Sequence, residues 1–343
     1  MSLVIVTGAA GFIGSHLVEL LVARGQRVVG IDRRAGMPAG TTEHLVTDLL
    51  DPDPDGRVRD ALRAADAVFH LAGRPGVRDH GPALPWLRQR DNVLAGERVL
   101  RAVPPGVPVV VASSSSVYGG APCRHGGRLR ASRETDLLRP RGGYAASKAE
   151  LERRCWQRAA AGGLVAVARP FTVAGERQRP DMAVAGWLAA VRQGRPIRIL
   201  GDPARTRDLT DVRDVVLGLL LLAERGVGDA VNLGTGTGHR LLDIARAVAD
   251  ALGERPELVV EPAGPEEPAA TLADTTRCRR LLGFTPRTDL PTLVRRQAAA
   301  PTTPNGHPRQ TQPRALQAYL AARDSFGSPG PTHAGRQLGV VTT

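Results

Sequence analysis

Ser2-Leu3-Val4-Ile5-Val6-Thr7-Gly8-Ala9-Ala10-Gly11-Phe12-Ile13-Gly14, followed by the amphipathic stretch Ser15 to Arg24, decides the fold. A short apolar run, a turn of closely spaced glycines and an apolar-periodic segment read in that order as strand, tight turn and helix. Further strands are predicted over 27–31, 44–47, 67–71, 107–112 and 164–168, with helical patterns at 85–102 and 144–160. Strands alternating with helices require a parallel sheet covered on both faces. That is the doubly wound α/β arrangement, whose ligands lie beyond the carboxyl ends of the strands. The side chains that matter should therefore stand just after each strand.

Past residue 175 the alternation loosens into a helix near 181–193, a strand at 197–200, a helix near 211–224, a strand at 230–233 and a helix near 241–252. These late elements read as a smaller lobe interleaved with the sheet. From Ala298 to Thr343 the chain is rich in Pro, Thr and Gly, with a short helical pattern at 314–323, and is expected to be a mostly disordered tail. The expected division is 1–175 for the sheet domain, 176–297 for the lobe and 298–343 for the tail.

Composition narrows the class. With 343 residues, 42% hydrophobic and 23% charged, the chain is a globular protein able to bury a sizeable core. Its longest apolar run, near Val215 to Ala223, falls well short of the ~20 residues that span a bilayer. The amino terminus lacks a basic leader and long apolar core, so no secretory signal is expected. Three cysteines at spacings unsuited to a metal fit a reducing compartment, and a cytoplasmic location without metal or membrane partner is expected. The net charge of +12 raises the question of nucleic acid, but the basic residues are scattered and all are arginine except Lys148. Without a basic stripe, no nucleic-acid partner is expected.

The glycine turn has its own chemistry. Glycines let backbone approach a pyrophosphate, whose charge meets the amino terminus of the following helix, and Gly8, Gly11, Phe12, Ile13 and Gly14 would form that cradle. Asp32, 18 residues after Gly14, is placed to accept the adenosine ribose hydroxyls and to repel a 2′-phosphate, favouring NAD. Arg33 and Arg34 follow directly and keep NADP open, since arginine there covers that phosphate. Asp48 and Leu49, after the third strand, would flank the adenine; the alternative for Asp48 is a turn-forming acid at a strand end. Tyr144 and Lys148 lie four apart on a predicted helix and so share a face, where an ammonium favours the phenolate of a residue that otherwise titrates near ~10. Arginine, with a planar fork, is no substitute for lysine there.

The spacing of Gly8, Gly11 and Gly14, His70-Leu71-Ala72-Gly73, Ser114 with Tyr144 and Lys148, and Arg169-Pro170-Phe171-Thr172 together resemble the extended short-chain dehydrogenase/reductase superfamily over about residues 3–297. The nearest likeness is to its NAD-dependent epimerase/dehydratase branch. The resemblance implies a Rossmann-type sheet with a smaller α/β substrate-binding lobe, and a homodimer. It implies that Leu71, Ala72 and Gly73 face the cofactor, that Ser114, Tyr144 and Lys148 are catalytic, that Asn92 and Arg78 lie near the substrate, and that Arg207 pairs with a diphosphate. Related dehydratases carry Asp-Glu at the positions of Ser115 and Ser116, and decarboxylases commonly carry glutamate at the second. Serines supply no acid or base of useful pKa. The run Ala112 to Gly119 and the stretch Phe171 to Ala183 most resemble UDP-glucuronate 4-epimerases, in which Ser115, Ser116 and Thr172 would hold the sugar carboxylate. Decarboxylation of UDP-glucuronate, epimerisation of UDP-glucose and an idle NAD-binding sensor remain the alternatives. The chain departs from the pattern at Gly264-Pro265-Glu266-Glu267-Pro268, where Gly-Asp is usual, sometimes preceded by an arginine. It departs again at Ala174, in place of an aromatic, and in lacking a carboxyl-terminal tryptophan.

Overall fold

The fold was obtained as a computed structural model that describes residues 2–53, 55–76, 81–122 and 129–300. In its first half β1 (Leu3–Thr7), α1 (Phe12–Ala23), β2 (Arg27–Asp32), β3 (Glu43–Val46), α2 (Arg57–Ala64) and β4 (Ala67–His70) precede α3 (Leu84–Arg88). A π-helical turn (Gln89–Leu94) joins α3 to α4 (Ala95–Ala102), and β5 (Val109–Ala112) runs into a 3-10 turn (Ser115–Tyr118) before α5 (Gly142–Ala160) and β6 (Val165–Pro170). Then come β7 (Val173–Ala174), α6 (Ala183–Arg192), β8 (Ile197–Leu200), β9 (Thr206–Asp208), β10 (Thr210–Asp211) and α7 (Val212–Glu224). The last elements are β11 (Ala230–Leu233), β12 (Gly238–Arg240), α8 (Leu241–Leu252), β13 (Leu258–Glu261), α9 (Thr276–Leu282) and α10 (Leu290–Ala299).

Seven strands form one parallel sheet in the order β11-β6-β5-β4-β1-β2-β3. Successive side chains of a strand point to opposite faces, and β1 shows the consequence. Val4 and Val6 pack with α1 and α7 residues such as Leu17, Leu21 and Val216, whereas Ile5 packs with Val99 of α4 and Leu151 of α5 on the other face. Both faces are thus covered, as a parallel sheet needs. The chain leaves β1 toward β2 and β3 and crosses back to β4 on its other side, so the strand order reverses between β1 and β4. A crevice opens at such a switch point.

The lobe has a separate core from α6, β8, α8 and α10, including Trp187, Ile197, Ile199, Ile244 and Val294. Between its elements the chain returns to the sheet: β11 pairs with β6, and α7 packs beside α1. Ala298 and Ala299 complete α10, so helical structure overruns the expected tail boundary at 298. The pattern at 314–323 lies outside the described residues. The predicted helix over 85–102 is three segments, because a π turn inserts one extra residue per turn at Gln89–Leu94. Among the described residues no helix is long and apolar enough to cross a membrane.

Candidate active site

At the switch point Gly8 adopts φ +72°, a conformation that favours glycine, and a Cβ there would lie 2.7 Å from the Ala72 nitrogen and 2.8 Å from the Leu71 carbonyl carbon. The predicted Leu71 and Ala72 therefore sit directly against the glycine turn. A Cβ on Gly11 would stand 2.9 Å from the Gly8 oxygen, and one on Gly14 would overlap that same carbonyl. These contacts draw the first turn of α1, with Phe12 and Ile13, tightly under the loop. The helix begins at Gly11 with no side-chain cap and no acid in its first turn, leaving its positive end for an anion. The cradle fits the pyrophosphate of a dinucleotide.

At the end of β2, Asp32 accepts from the Ala10 N–H at 3.1 Å and from the Arg34 N–H at 3.0 Å. The Arg34 guanidinium also pairs with Asp32 and lies 3.6 Å from where a Gly11 Cβ would be. Arg33 turns the other way, toward Asp48 at 3.4 Å and Asp91 at 3.3 Å. The Asp48 carboxylate is an anchor as well: it accepts from the Leu50 N–H at 2.9 Å and from Arg90 at 2.9 Å. Burial raises its pKa, but the Leu50 N–H, Arg90 and Arg33 outweigh that and leave it lowered. Asp48 thus closes the turn after β3 with its carboxylate, and the Leu49 side chain is buried in the core.

The reacting centre forms where α5 passes the ends of β5 and β4. Ser114 extends from β5 and caps the 3-10 turn by accepting from the Ser116 N–H at 3.1 Å. Its hydroxyl stands near enough to the phenol of Tyr144, two residues into α5, to favour the phenolate. Tyr144 is partly open to solvent, yet its phenol is enclosed enough that desolvation raises its pKa. Ser114, Arg179 and Arg88 pull it back toward the phenolate. Lys148 shares the helix face but its ammonium donates to the Ala112 carbonyl at 2.8 Å and lies 3.5 Å from where a Gly73 Cβ would be. Arg179 and Arg88 add positive charge that favours the phenolate, beyond the lysine expected to do so from the sequence. Burial lowers the Lys148 pKa to about 8, against the opposing pull of Cys155 and Glu152.

Asn92 couples these parts. The π turn places adjacent Asp91 and Asn92 both inward, and each holds a different piece of the loop after β4. Asn92 accepts from the Arg74 N–H at 2.6 Å and donates to Ser147 at 2.8 Å, while Ser147 donates to the Tyr144 carbonyl at 2.8 Å. Asp91 takes the Arg74 side chain at 2.9 Å. A Cβ on Gly73 would meet the Asn92 oxygen at 2.8 Å, which is why glycine stands there. Beneath the site, Glu152 accepts a short bond from Ser113 and two from Arg169 at 2.9 and 2.6 Å, and Arg169 donates to the Tyr118 hydroxyl at 2.8 Å.

Ser115 and Ser116 lie in the 3-10 turn beside Ser114, and the Ser116 hydroxyl is buried without a hydrogen-bond partner. Thr172 follows β6, and its carbonyl accepts from the Thr210 N–H at 2.9 Å. Arg207, on β9, donates to the Thr206 carbonyl at 2.9 Å and to the Glu267 carboxylate at 2.9 Å. Arg78 lies outside the described residues. Sequence reading overlooked the charges of Arg88 and Arg179 acting on Tyr144, because Arg88 comes beside Gly143 only through the packing of α3 against α5.

The NAD dependent epimerase/dehydratase family matches residues 4–234. The chain belongs to that family. The Bacillus subtilis protein described as uncharacterized UDP-glucose epimerase YtcB is 32% identical over 307 residues, covering 84% of this chain and 94% of its own. UDP-glucuronic acid decarboxylase 4 of Arabidopsis thaliana is 28% identical, over 85% of this chain and 68% of its own. The solved structure of MoeE5 in complex with UDP-glucuronic acid and NAD is 40% identical, with a TM-score of 0.77 over 86% of this chain and 97% of that one. The UDP-glucuronic acid 4-epimerase of Bacillus cereus, in complex with UDP-glucuronic acid and NAD, is 29% identical at a TM-score of 0.77, over 86% and 98%. This family member is an NAD-dependent enzyme of the UDP-sugar epimerase and decarboxylase group.

Proposed function

We propose that the protein interconverts UDP-glucuronate and UDP-galacturonate through a transient 4-keto sugar. The observation that carries this reading is the neutral end of β5: Ser114 beside Tyr144, then Ser115 and Ser116, with the Ser116 hydroxyl buried and unpartnered. The cradle of Gly8 to Gly14, Asp32 and Leu71 to Gly73 would hold NAD, which would supply reversible hydride acceptance at carbon 4. Tyr144, beside Ser114, removes the proton from the 4-hydroxyl and gives it back. The 4-keto uronate is a β-keto acid and loses carbon dioxide when its carboxylate turns perpendicular to the ketone plane. Hydroxyls of Ser115, Ser116 and Thr172 hold that carboxylate by hydrogen bonds, where a glutamate would repel it. The lobe holds the nucleotide half, with Arg207 on the diphosphate.

Incubation of the purified protein with NAD and UDP-glucuronate, followed by proton NMR, is expected to give UDP-galacturonate. UDP-xylose or a 4-keto pentose would assign decarboxylation instead, and retention of every UDP- and dTDP-hexose unchanged would leave a dinucleotide-binding protein without turnover.

A further inference from the structure

We propose that Glu267 is an internal counter-ion that competes with the substrate diphosphate for Arg207. The inference rests on the reading of Arg207 as the diphosphate contact.

The turn Gly264-Pro265-Glu266-Glu267 is closed by the Glu267 N–H donating to the Gly264 carbonyl at 3.1 Å, with proline at the second position, where its fixed φ suits a turn. It lies between the catalytic body and the lobe. On the body side, the Glu266 carboxyl carbon is 2.9 Å from where a Gly142 Cβ would be, at the start of α5 and two residues before Tyr144. Pro268 similarly stands 3.1 Å from the Cβ position of Gly120, just past the 3-10 turn. On the lobe side, Arg205 donates to the Glu267 carbonyl at 3.3 Å and Arg207 to its carboxylate at 2.9 Å. The chain is pinned again beyond the turn, where the Ala121 N–H donates to the Ala270 carbonyl at 2.8 Å.

Arg207 and Glu267 expose only 11% and 16% of their side chains, so their attraction is poorly screened. An anion reaching the guanidinium meets the Glu267 carboxylate already seated there. A diphosphate brings two ionised oxygens to Arg207 and can displace a single carboxylate. A neutral nucleoside has nothing to offer the arginine and leaves the pair closed. Glu267 therefore weakens the hold of the site on a diphosphate and not on a neutral nucleoside, and so narrows the difference in affinity between the two.

The test is calorimetric titration of the full-length, NAD-loaded protein with UDP and with uridine. Glu267→Gln keeps the shape and removes the charge. It is expected to tighten UDP binding roughly tenfold while leaving uridine unchanged, and the gain should vanish in an Arg207→Ala background. Retained NAD affinity in each variant shows that it is folded, with Glu267→Ala as the second replacement. Equal or weaker UDP binding by Glu267→Gln would overturn the proposal and make Glu267 a support for Arg207. Should neither wild type nor variant bind UDP, the substrate reading itself falls, and the proposal with it.

Discussion

The phenol of Tyr144 shows how several weak influences share one task. Burial alone raises its pKa and would make it a poor base, and the Ser114 hydroxyl with the guanidinia of Arg179 and Arg88 oppose that rise. Lys148 reaches the Ala112 carbonyl and the space over Gly73, beside the glycine turn. In the proposed reaction the ammonium would serve cofactor placement, and the Ser114 hydroxyl and the arginines would tune the base. Replacing Tyr144 by Phe removes one oxygen and leaves the Asn92–Ser147 tether on the helix backbone in place. NAD affinity should stay within about twofold, while turnover should fall by roughly 10²–10⁴, the usual contribution of a positioned base. Titration with NAD and an NMR progress curve measure the two separately, and a variant that turns over normally would remove Tyr144 from the chemistry.

At the scale of elements, the sheet was legible because each long strand is an apolar run stopped by a polar residue or glycine at the position where function begins. β1 stops at Thr7-Gly8, β4 at His70 before Leu71, and β5 at Ala112 before four serines. What sequence could not show depends on three-dimensional direction. Arg33 and Arg34 are neighbours in the chain but diverge, one to Asp48 and Asp91 and the other over the glycine turn. Two- and three-residue strands such as β7, β9, β10 and β12 are too short to display a period, and the exposed helix α2 has only Leu62 buried. Nor did sequence reveal that Glu152 of α5 and Arg169 of β6 form a buried pair that also binds Ser113 and Tyr118. A buried pair is costly to break from one side because the remaining charge cannot return to water. Arg169→Met is therefore expected to destabilise the fold by about 3–5 kcal/mol, with most of the loss recovered in the Glu152→Met, Arg169→Met double variant. Denaturant unfolding of both variants checks this, and a double variant no better than the single would show that the wider network of hydroxyls, and not the charge pair, bears the cost.

Over the whole molecule, stability at mildly acid pH is a contest between buried histidines and buried carboxylates. Desolvation, aided by Lys148, lowers the His70 pKa to about 3, and the ring sits neutral with Nδ1 2.8 Å from the Thr7 hydroxyl at the switch point. His16, buried on α1, is lowered well below its ordinary value by desolvation and by Arg177 and Arg213. The unfolded chain binds protons at both rings once pH drops below about 6.5, and the native protein does not, so their contribution to stability falls with acidification. Asp211 acts in the opposite sense. Burial raises its pKa to about 6 despite Arg296 and the Arg213 N–H, so the native state takes up its proton first and gains relative stability as pH falls through that value. These opposed slopes partly cancel, and a flat profile for the intact protein would conceal both. His70→Asn separates them, since it removes one titrating group and leaves Asp211 untouched. The stability difference between wild type and His70→Asn, measured by denaturant unfolding, should shift against the wild type by about 2 kcal/mol between about pH 7.5 and about pH 5, the shift expected for a ring whose native pKa is near 3. A pH-independent difference would mean that His70 takes up protons as readily in the folded protein as in the unfolded chain.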